Sequence, residues 1–321
     1  MCGKTYHIFN ISMEVKTMTF SIHTFEISIY PETDGQKNWS TTKISRGIRV
    51  NDNDNGYRRQ ISLVVNPSKL LGGNDLNLWK PNNDNIEKLI RKLKSSIDDF
   101  FDSEISLKDF ELTRCDFTIN IRTNSKKKVT AYIQIMHNTG KVSGFSLKYD
   151  EDDYNDKINI DSSFDLVHSN GIELTLYDKF EQCNEEDASG ILRVEVRLKK
   201  RKSLRKYTDE THVEKQITDL AKKSKEIFLD TFVRAVPPGN YYIMKQAINI
   251  IENKVSKKKQ REKMLRLLKL SRNESLFSAL KKLNDKNTYR ILTKFADIGL
   301  SPVTLRKKYG VKELKSLYNY F

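Results

Sequence analysis

The chain has 321 residues, 37% hydrophobic and 31% charged, with a formal net charge of +15. That is long and apolar enough for one large or two ordinary domains with real cores, which excludes a disordered protein. No apolar run approaches the roughly 20 residues of a membrane span, and residues 1–10 lack a basic segment followed by an apolar stretch and a small-residue cleavage site, so neither membrane insertion nor secretion is expected. Cys2, Cys115 and Cys183 are odd in number and far apart, which gives neither a disulfide framework nor a Cys-x-x-Cys metal site and points to a reducing, cytoplasmic setting.

The charge is divided unevenly. Residues 197–321 hold 32 Lys and Arg against 12 Asp and Glu, a net of +20, while residues 1–196 hold 25 against 30, a net of −5. A portion this basic has the electrostatic footprint of a polyanion binder, because each phosphate it neutralises releases condensed counterions.

In chain order, residues 19–29 (TFSIHTFEISI) alternate as a strand, and 52–56 (DNDNG) read as a turn before a second strand at 57–65 (YRRQISLVV). Asn66-Pro67 and Gly72-Gly73 break the chain, and residues 85–101 then carry apolar side chains at helical spacing. Residues 112–121 (LTRCDFTINI), 129–137, 142–148, 171–180 (GIELTLYDKF) and 191–199 (ILRVEVRLK) are strand-like, with an acidic polar stretch at 150–165 and a loop at 181–190. Helical patterns follow at 213–233 and 240–283, separated by Pro237-Pro238-Gly239, and 287–298 and 303–321 flank a Gly-Leu-Ser-Pro turn as helix, turn, helix. The expected fold is α+β: a largely antiparallel sheet domain over residues 1–205 and a basic helical portion over 206–321.

Three strands place charged residues at alternate positions, hence on one sheet face. These are Arg114 and Asp116 with Thr118 and Asn120, then Glu173 with Thr175, Tyr177 and Lys179, then Arg193, Glu195, Arg197 and Lys199. If the strands are neighbours, one face displays Asp116, Glu195 and Glu173 beside Tyr177 and Lys179. Carboxylates are hard oxygen ligands for Mg²⁺ or Mn²⁺, and a metal there would polarise a scissile phosphate while Tyr177 attacks it and Lys179 eases the phenolate or the leaving oxygen. Candidate DNA contacts are Arg114, Arg193, Arg197 and Lys199 on the sheet and Lys257, Lys258, Lys259 and Arg261 in the basic portion.

The order of residues 64–73 (VVNPSKLLGG), an amphipathic helix, LTRCDFTINI, LTLYDKF and LRVEVRLKK resembles the replication initiators of filamentous phages, the gene II type nicking proteins, and related phage and plasmid replication proteins. Residues 287–321 are similar to that family's C-terminal helical stretch. The resemblance implies a DNA strand-nicking and rejoining tyrosine endonuclease that starts rolling-circle replication at a double-strand origin. Tyr177 and Lys179 match its Tyr-x-Lys motif, Arg114 and Asp116 its Arg-x-Asp strand, and Arg193, Glu195 and Arg197 its Arg-x-Glu-x-Arg strand. Glu173 has no counterpart there and rests on strand alternation alone. The His-hydrophobic-His motif of many rolling-circle nickases is absent: His7, His23, His137, His168 and His212 are isolated, and one of them could complete a carboxylate metal site.

Expected partners are origin DNA, duplex and single-stranded, with a host helicase and polymerase, because no phosphate-binding loop is present. The sequence contains no His-Glu-x-x-His or Gly-x-Ser-x-Gly motif either. Tyr207, Tyr241, Tyr242 and Tyr289 lie in the basic portion without a comparable motif. The alternatives are a non-catalytic DNA-binding regulator, which would never form a covalent DNA adduct, and a mobilisation relaxase, which differs in the origin it recognises.

Overall fold

Alternation of apolar and polar residues builds nine strands: β1 (Ser21–Ile29), β2 (Lys43–Ser45), β3 (Ile48–Asp54), β4 (Arg59–Val65), β5 (Glu111–Arg122), β6 (Phe145–Leu147), β7 (Ser163–His168), β8 (Ile172–Asp178) and β9 (Ile191–Leu198). In this computed structural model, which describes residues 18–31, 43–54, 57–102, 104–142, 144–148, 162–283 and 288–321, they form one antiparallel sheet in the order β2-β3-β4-β1-β5-β9-β8-β7-β6. The 1–10 segment with Cys2 and His7, the end of the 52–56 turn, most of the 150–165 stretch and the Tyr289 side chain lie outside the described residues.

The apolar sides of the central strands, including Phe117, Ile119, Leu174, Leu176, Val194 and Val196, are fully buried. Over that face lie α3 (Lys126–Thr139), α5 (Arg201–Leu204), α6 (Val213–Lys222) and α7 (Ser224–Ala235). Two further helices, α1 (Pro67–Leu70) and α2 (Asn83–Phe100), follow β4. The α2 helix buries Ile86, Leu89, Leu93 and Ile97 on one stripe, and the Asn82 side chain caps its start by accepting from Asn85 N at 2.8 Å, a cap worth about 1 kcal/mol.

Past Pro237-Pro238 come β10 (Tyr241–Tyr242), α8 (Met244–Lys254), α9 (Lys258–Asn273), α10 (Leu276–Leu283), α11 (Thr288–Asp297) and β11 (Glu313–Leu314), which pairs with β10. The chain then returns to the helical layer, where Tyr318 and Phe321 meet Phe232, and Phe321 also meets Phe20 and Phe228. The buried apolar core is continuous from Ile22 to Leu317. No helix among the described residues is long and apolar enough to cross a membrane.

Three expectations are corrected. Residues 129–137 form the middle of α3 rather than a strand. The helix lies between the sheet and the C-terminal region and buries Val129, Ala131, Tyr132, Ile133, Ile135 and Met136 over more than half of its circumference, leaving only a narrow row of half-buried polar residues, Thr130, Gln134, His137 and Asn138, so the apolar run reads as a strand. Residues 303–321 form no α-helix: Gly310 sits at φ +67, Ile243 and Leu305 make an isolated parallel bridge, and two short 3-10 turns replace the second helix. Finally, β8 ends at Asp178, whose side chain caps α4 (Lys179–Cys183) by accepting from Phe180 N at 3.0 Å, so Lys179 begins a helical turn instead of continuing the strand.

Candidate functional site

The face opposite the helices carries the polar residues, and β5, β9 and β8 are neighbours in that order. Their register sets the side chains in rows across the three strands. Asn120, Arg193 and Tyr177 form one row, Thr118, Glu195 and Thr175 the next, and Asp116, Arg197 and Glu173 a third, with Arg114 and Lys199 flanking. The Tyr177 hydroxyl donates to Glu195 Oε1 at 2.6 Å. Glu195 Oε2 accepts from Arg197 Nη2 at 2.8 Å and Nε at 3.1 Å, and His23 Nδ1 stands 3.0 Å from Oε1.

His23 reaches Glu195 although β5 lies between their strands, because β1 is irregular between Ile22 and Thr24. A bulge lets two consecutive residues face the same side, so His23 joins the site and Thr24 still donates to Asp116 Oδ2 at 2.6 Å. The far edge of the ring meets the loop after α1: Asp75 Oδ1 lies 3.8 Å from Nε2, and Asp75 Oδ2 pairs with Lys69 Nζ at 2.6 Å. Arg193, with no exposed surface, ties these pieces together. Its Nε donates to Asn120 Oδ1 at 2.8 Å, its Nη1 to His23 Nε2 at 3.1 Å, and its Nη2 to the Asp75 carbonyl. Since guanidinium only donates, the neutral His23 ring accepts on Nε2 and carries its proton on Nδ1, toward Glu195. Asn120 Nδ2 donates in turn to the Leu76 carbonyl at 2.8 Å, which anchors the loop over this end of the sheet.

The ionisation states follow from this packing. Burial and then the Glu195 charge push the Tyr177 hydroxyl well above its ordinary range, so the phenol is protonated at neutral pH. Burial would raise Glu195, but the charge of His23 and its hydrogen bond, followed by Arg197, hold it well below the usual carboxylate range. For His23, burial pulls downward and is outweighed by Glu195 and Asp75, leaving a raised pKa. Burial and the neighbouring Arg193 lower Lys179, whose Nζ donates to Gln182 Oε1 at 2.5 Å.

The residues expected from sequence are only partly brought together. Glu195 touches Tyr177, whereas Asp116 is two strands across and four residues along from it, roughly 10 Å by 13 Å in strand geometry. Asp116 instead pairs with Arg114, whose Nε donates to Oδ1 at 2.8 Å. Glu173, four residues before Tyr177 on the same strand, pairs with Lys199 Nζ at 2.9 Å and has Arg197 Nη1 at 3.9 Å, while its buried Oε2 accepts no hydrogen bond from the described residues. The cationic Arg197 thus stands between Asp116 and Glu173. Among the described residues no group of three or more His, Cys, Asp or Glu is placed to hold a metal ion. Arg193, expected as a DNA contact, is enclosed and spends its donors inside the site. Lys257, Lys258 and Lys259 are exposed and Arg261 half-buried at the start of α9.

Sequence reasoning named His23 only as one of five histidines that could join the site, without singling it out, and missed Asp75. The signal for His23 was present: apolar residues occupy positions 20 and 22 and then 25, 27 and 29, and the change of phase falls on the polar pair His23-Thr24. Asp75 carried no signal beyond its place after Gly72-Gly73.

No curated protein matches the chain. A rolling circle replication initiator protein from Geobacillus stearothermophilus aligns with 90% of this chain and 100% of its own at 10% identity and a TM-score of 0.30, so the description of the fold rests on the strands and helices above. The family model for the N-terminal part of the gene II replication-associated protein matches residues 26–219, which contain Tyr177, Glu195, Asp75 and every strand of the polar face in whole or part, and the chain belongs to that family.

Proposed function

We propose that this chain is a rolling-circle replication initiator that nicks one strand of its origin with Tyr177 as nucleophile and later rejoins the displaced strand. The observation that carries this is the Tyr177 hydroxyl donating at 2.6 Å to a buried carboxylate, in a member of a replication-associated family. In the nicking step the Tyr177 oxygen bonds to phosphorus while the bond from phosphorus to the 3′ oxygen breaks, and the phenol proton passes along the hydrogen bond to Glu195 Oε1 in concert with the attack, since the low basicity of Glu195 and the raised phenol disfavour a free phenolate beforehand. The products are a 5′ phosphotyrosine link and a 3′ hydroxyl that primes a host polymerase. Lys179, whose pKa burial has lowered, protonates the departing 3′ oxygen, and His23 fixes Glu195 in place by donating to the oxygen that faces Tyr177.

A divalent cation belongs to this proposal. Mg²⁺ and Mn²⁺ accept one or two protein carboxylates and complete their shells with water and phosphate oxygens, so Glu195 would hold such an ion without a three-carboxylate cage and without His23, whose two ring nitrogens are engaged by Glu195 and Arg193. Such an ion would offset charge developing on the phosphate. Asp116 and Glu173, apart from Tyr177, are assigned to holding Arg114, Arg197 and Lys199 in place for the single strand. Residues 1–205 form the nicking unit and 206–321 supply the grip on duplex DNA, with a host helicase opening it.

The competing reading, a DNA-binding regulator, draws on the burial of Tyr177, which is 7% exposed. Incubating supercoiled plasmid carrying the element's own origin with Mg²⁺, Mn²⁺ or EDTA separates the two. Metal-dependent relaxation with protein-linked DNA on a denaturing gel supports the nickase, and tight origin binding without any adduct refutes it.

A further inference from the structure

The cations of the polar sheet face and those of α9 differ in their partners. On the polar sheet face three cations are already matched by carboxylates, Arg114 by Asp116, Arg197 by Glu195 and Lys199 by Glu173, and Arg193 is enclosed with its donors spent inside the site. On α9, by contrast, Lys258, Lys259, Arg266 and Lys269 are exposed and take no ion pair among the described residues. A phosphate arriving at α9 therefore displaces no internal carboxylate, whereas one arriving at the sheet must compete.

The placement of these residues is set by helical geometry. Met264, Leu267, Leu268 and Ser271 form the buried stripe of α9, packed toward α3, α8 and α10. At 100° per residue, Lys258, Lys259, Glu262, Arg266, Lys269 and Asn273 gather on the opposite side. This solvent face contains four cations and one acid, along a helix about 24 Å long. It has no large apolar side chain along its middle, as a membrane-seated helix would need. Along its midline run Glu262, Arg266 and Asn273, the residue types that respectively accept from cytosine N4, clasp guanine O6 and N7, and clasp adenine N6 and N7.

The approach to α9 fits the same partner. Only three residues, Val255, Ser256 and Lys257, separate the end of α8 from the start of α9, and Val255 is buried as the pivot. A short turn between two helices, the second one carrying unmatched positive charge outward, is the arrangement that lays a helix in the major groove while the first helix meets the backbone.

We infer that α8 and α9 form a helix-turn-helix unit whose second helix enters the major groove of duplex DNA, with Lys258, Lys259 and Lys269 on phosphates and Arg266 on a guanine edge. This places duplex recognition in the middle of the basic portion, around the Lys257 to Arg261 cluster, and not in the 287–321 segment, whose second half forms no α-helix. It rests on the origin-binding part of the proposed function.

The test uses the full chain and two paired substitutions, Lys258→Gln with Lys259→Gln and Arg266→Gln with Lys269→Gln. Binding to a duplex spanning the element's own origin, and to a scrambled duplex, is followed by anisotropy across a salt series. The inference expects each pair to weaken origin binding about tenfold or more and to lower the log-log salt slope, by roughly 2 for the first pair. The second pair also removes the protection of a guanine N7 against methylation. Cleavage of a single-stranded oligonucleotide at the sheet site, where the wild type cleaves it, stays at the wild-type rate, and the unchanged melting temperature of each variant excludes misfolding. Unchanged duplex affinity and salt slope in both variants, or equal loss on single-stranded DNA, overturns the inference. If the wild type binds the duplex through α9 yet forms no adduct, the nickase reading fails while this inference stands.

Discussion

Arg193 is the residue on which the site's construction depends most. It has no exposed surface and donates to three different segments: Asn120 on β5, His23 on β1 and the Asp75 carbonyl of the loop. Arg193→Lys keeps the charge and replaces the planar fork with a single ammonium, which can satisfy one of those acceptors. Two buried acceptors are then left without a donor at about 1 to 3 kcal/mol each, so the expected loss is about 3 kcal/mol, or roughly 5 to 10 °C in melting temperature. The comparison that isolates this cause is Arg114→Lys, because Arg114 is 32% exposed in its side chain and faces a carboxylate that a lysine can still reach, where about 1 kcal/mol or less is expected. Urea melts of both variants, with slopes compared to confirm that only stability has changed, give the two numbers directly. A loss at Arg193 no larger than that at Arg114 would refute the view that this guanidinium joins the loop to the sheet.

Three further outcomes follow from single contacts. The raised pKa of His23 means that its folded-state pairing contributes full stability below about pH 6.5, its ordinary value, and that the contribution is lost as pH rises through the raised value; melting temperature should therefore fall with rising pH above that point, and a His23→Gln variant should lack this step. Gly239 has φ +101, and a Cβ there would lie 2.4 Å from the Leu300 backbone, so Gly239→Ala should cost more than about 2 kcal/mol in a denaturant melt, whereas an unchanged midpoint would mean that the Asn240 to Leu300 bridge can move apart freely. Tyr207 donates to Asp230 Oδ2 at 2.7 Å, with Asp230 on α7 in the layer behind the sheet, so Tyr207→Phe should cost about 1 kcal/mol and leave any DNA adduct intact; loss of adduct in that variant would move the nucleophile away from Tyr177.

How far the sequence could be read is clearest residue by residue. The alternation in LTRCDFTINI, LTLYDKF and LRVEVRLKK put Arg114, Asp116, Tyr177, Arg193, Glu195 and Arg197 on one face, and β5, β9 and β8 do lie side by side. Period-two patterns report which face a side chain takes but not its row, so they could not separate Glu195, at Tyr177, from Glu173, four residues away on the same strand, or from Asp116, two strands across and four residues along. The same patterns assume unbroken pleating, and the β1 bulge that delivers His23 defeats that assumption. In α3 the confusion has another origin: a helix buried on most of its surface presents Val129, Ala131, Tyr132, Ile133 and Ile135 in close succession, which periodicity alone cannot distinguish from a core strand. The enclosure of Arg193 depended on the loop around Asp75 folding back over the sheet, a long-range event that local pattern does not encode.

The central claim is that Tyr177 forms the covalent bond to DNA. The most direct measurement is mass spectrometry of the protease-digested adduct formed with a short single-stranded oligonucleotide containing the origin's nick site, in wild type and in Tyr177→Phe. The account predicts a nucleotide phosphate on the peptide containing Tyr177, absent from Tyr177→Phe, which should still fold and bind origin duplex. An adduct mapped to any other residue, or one that persists in Tyr177→Phe, would contradict it.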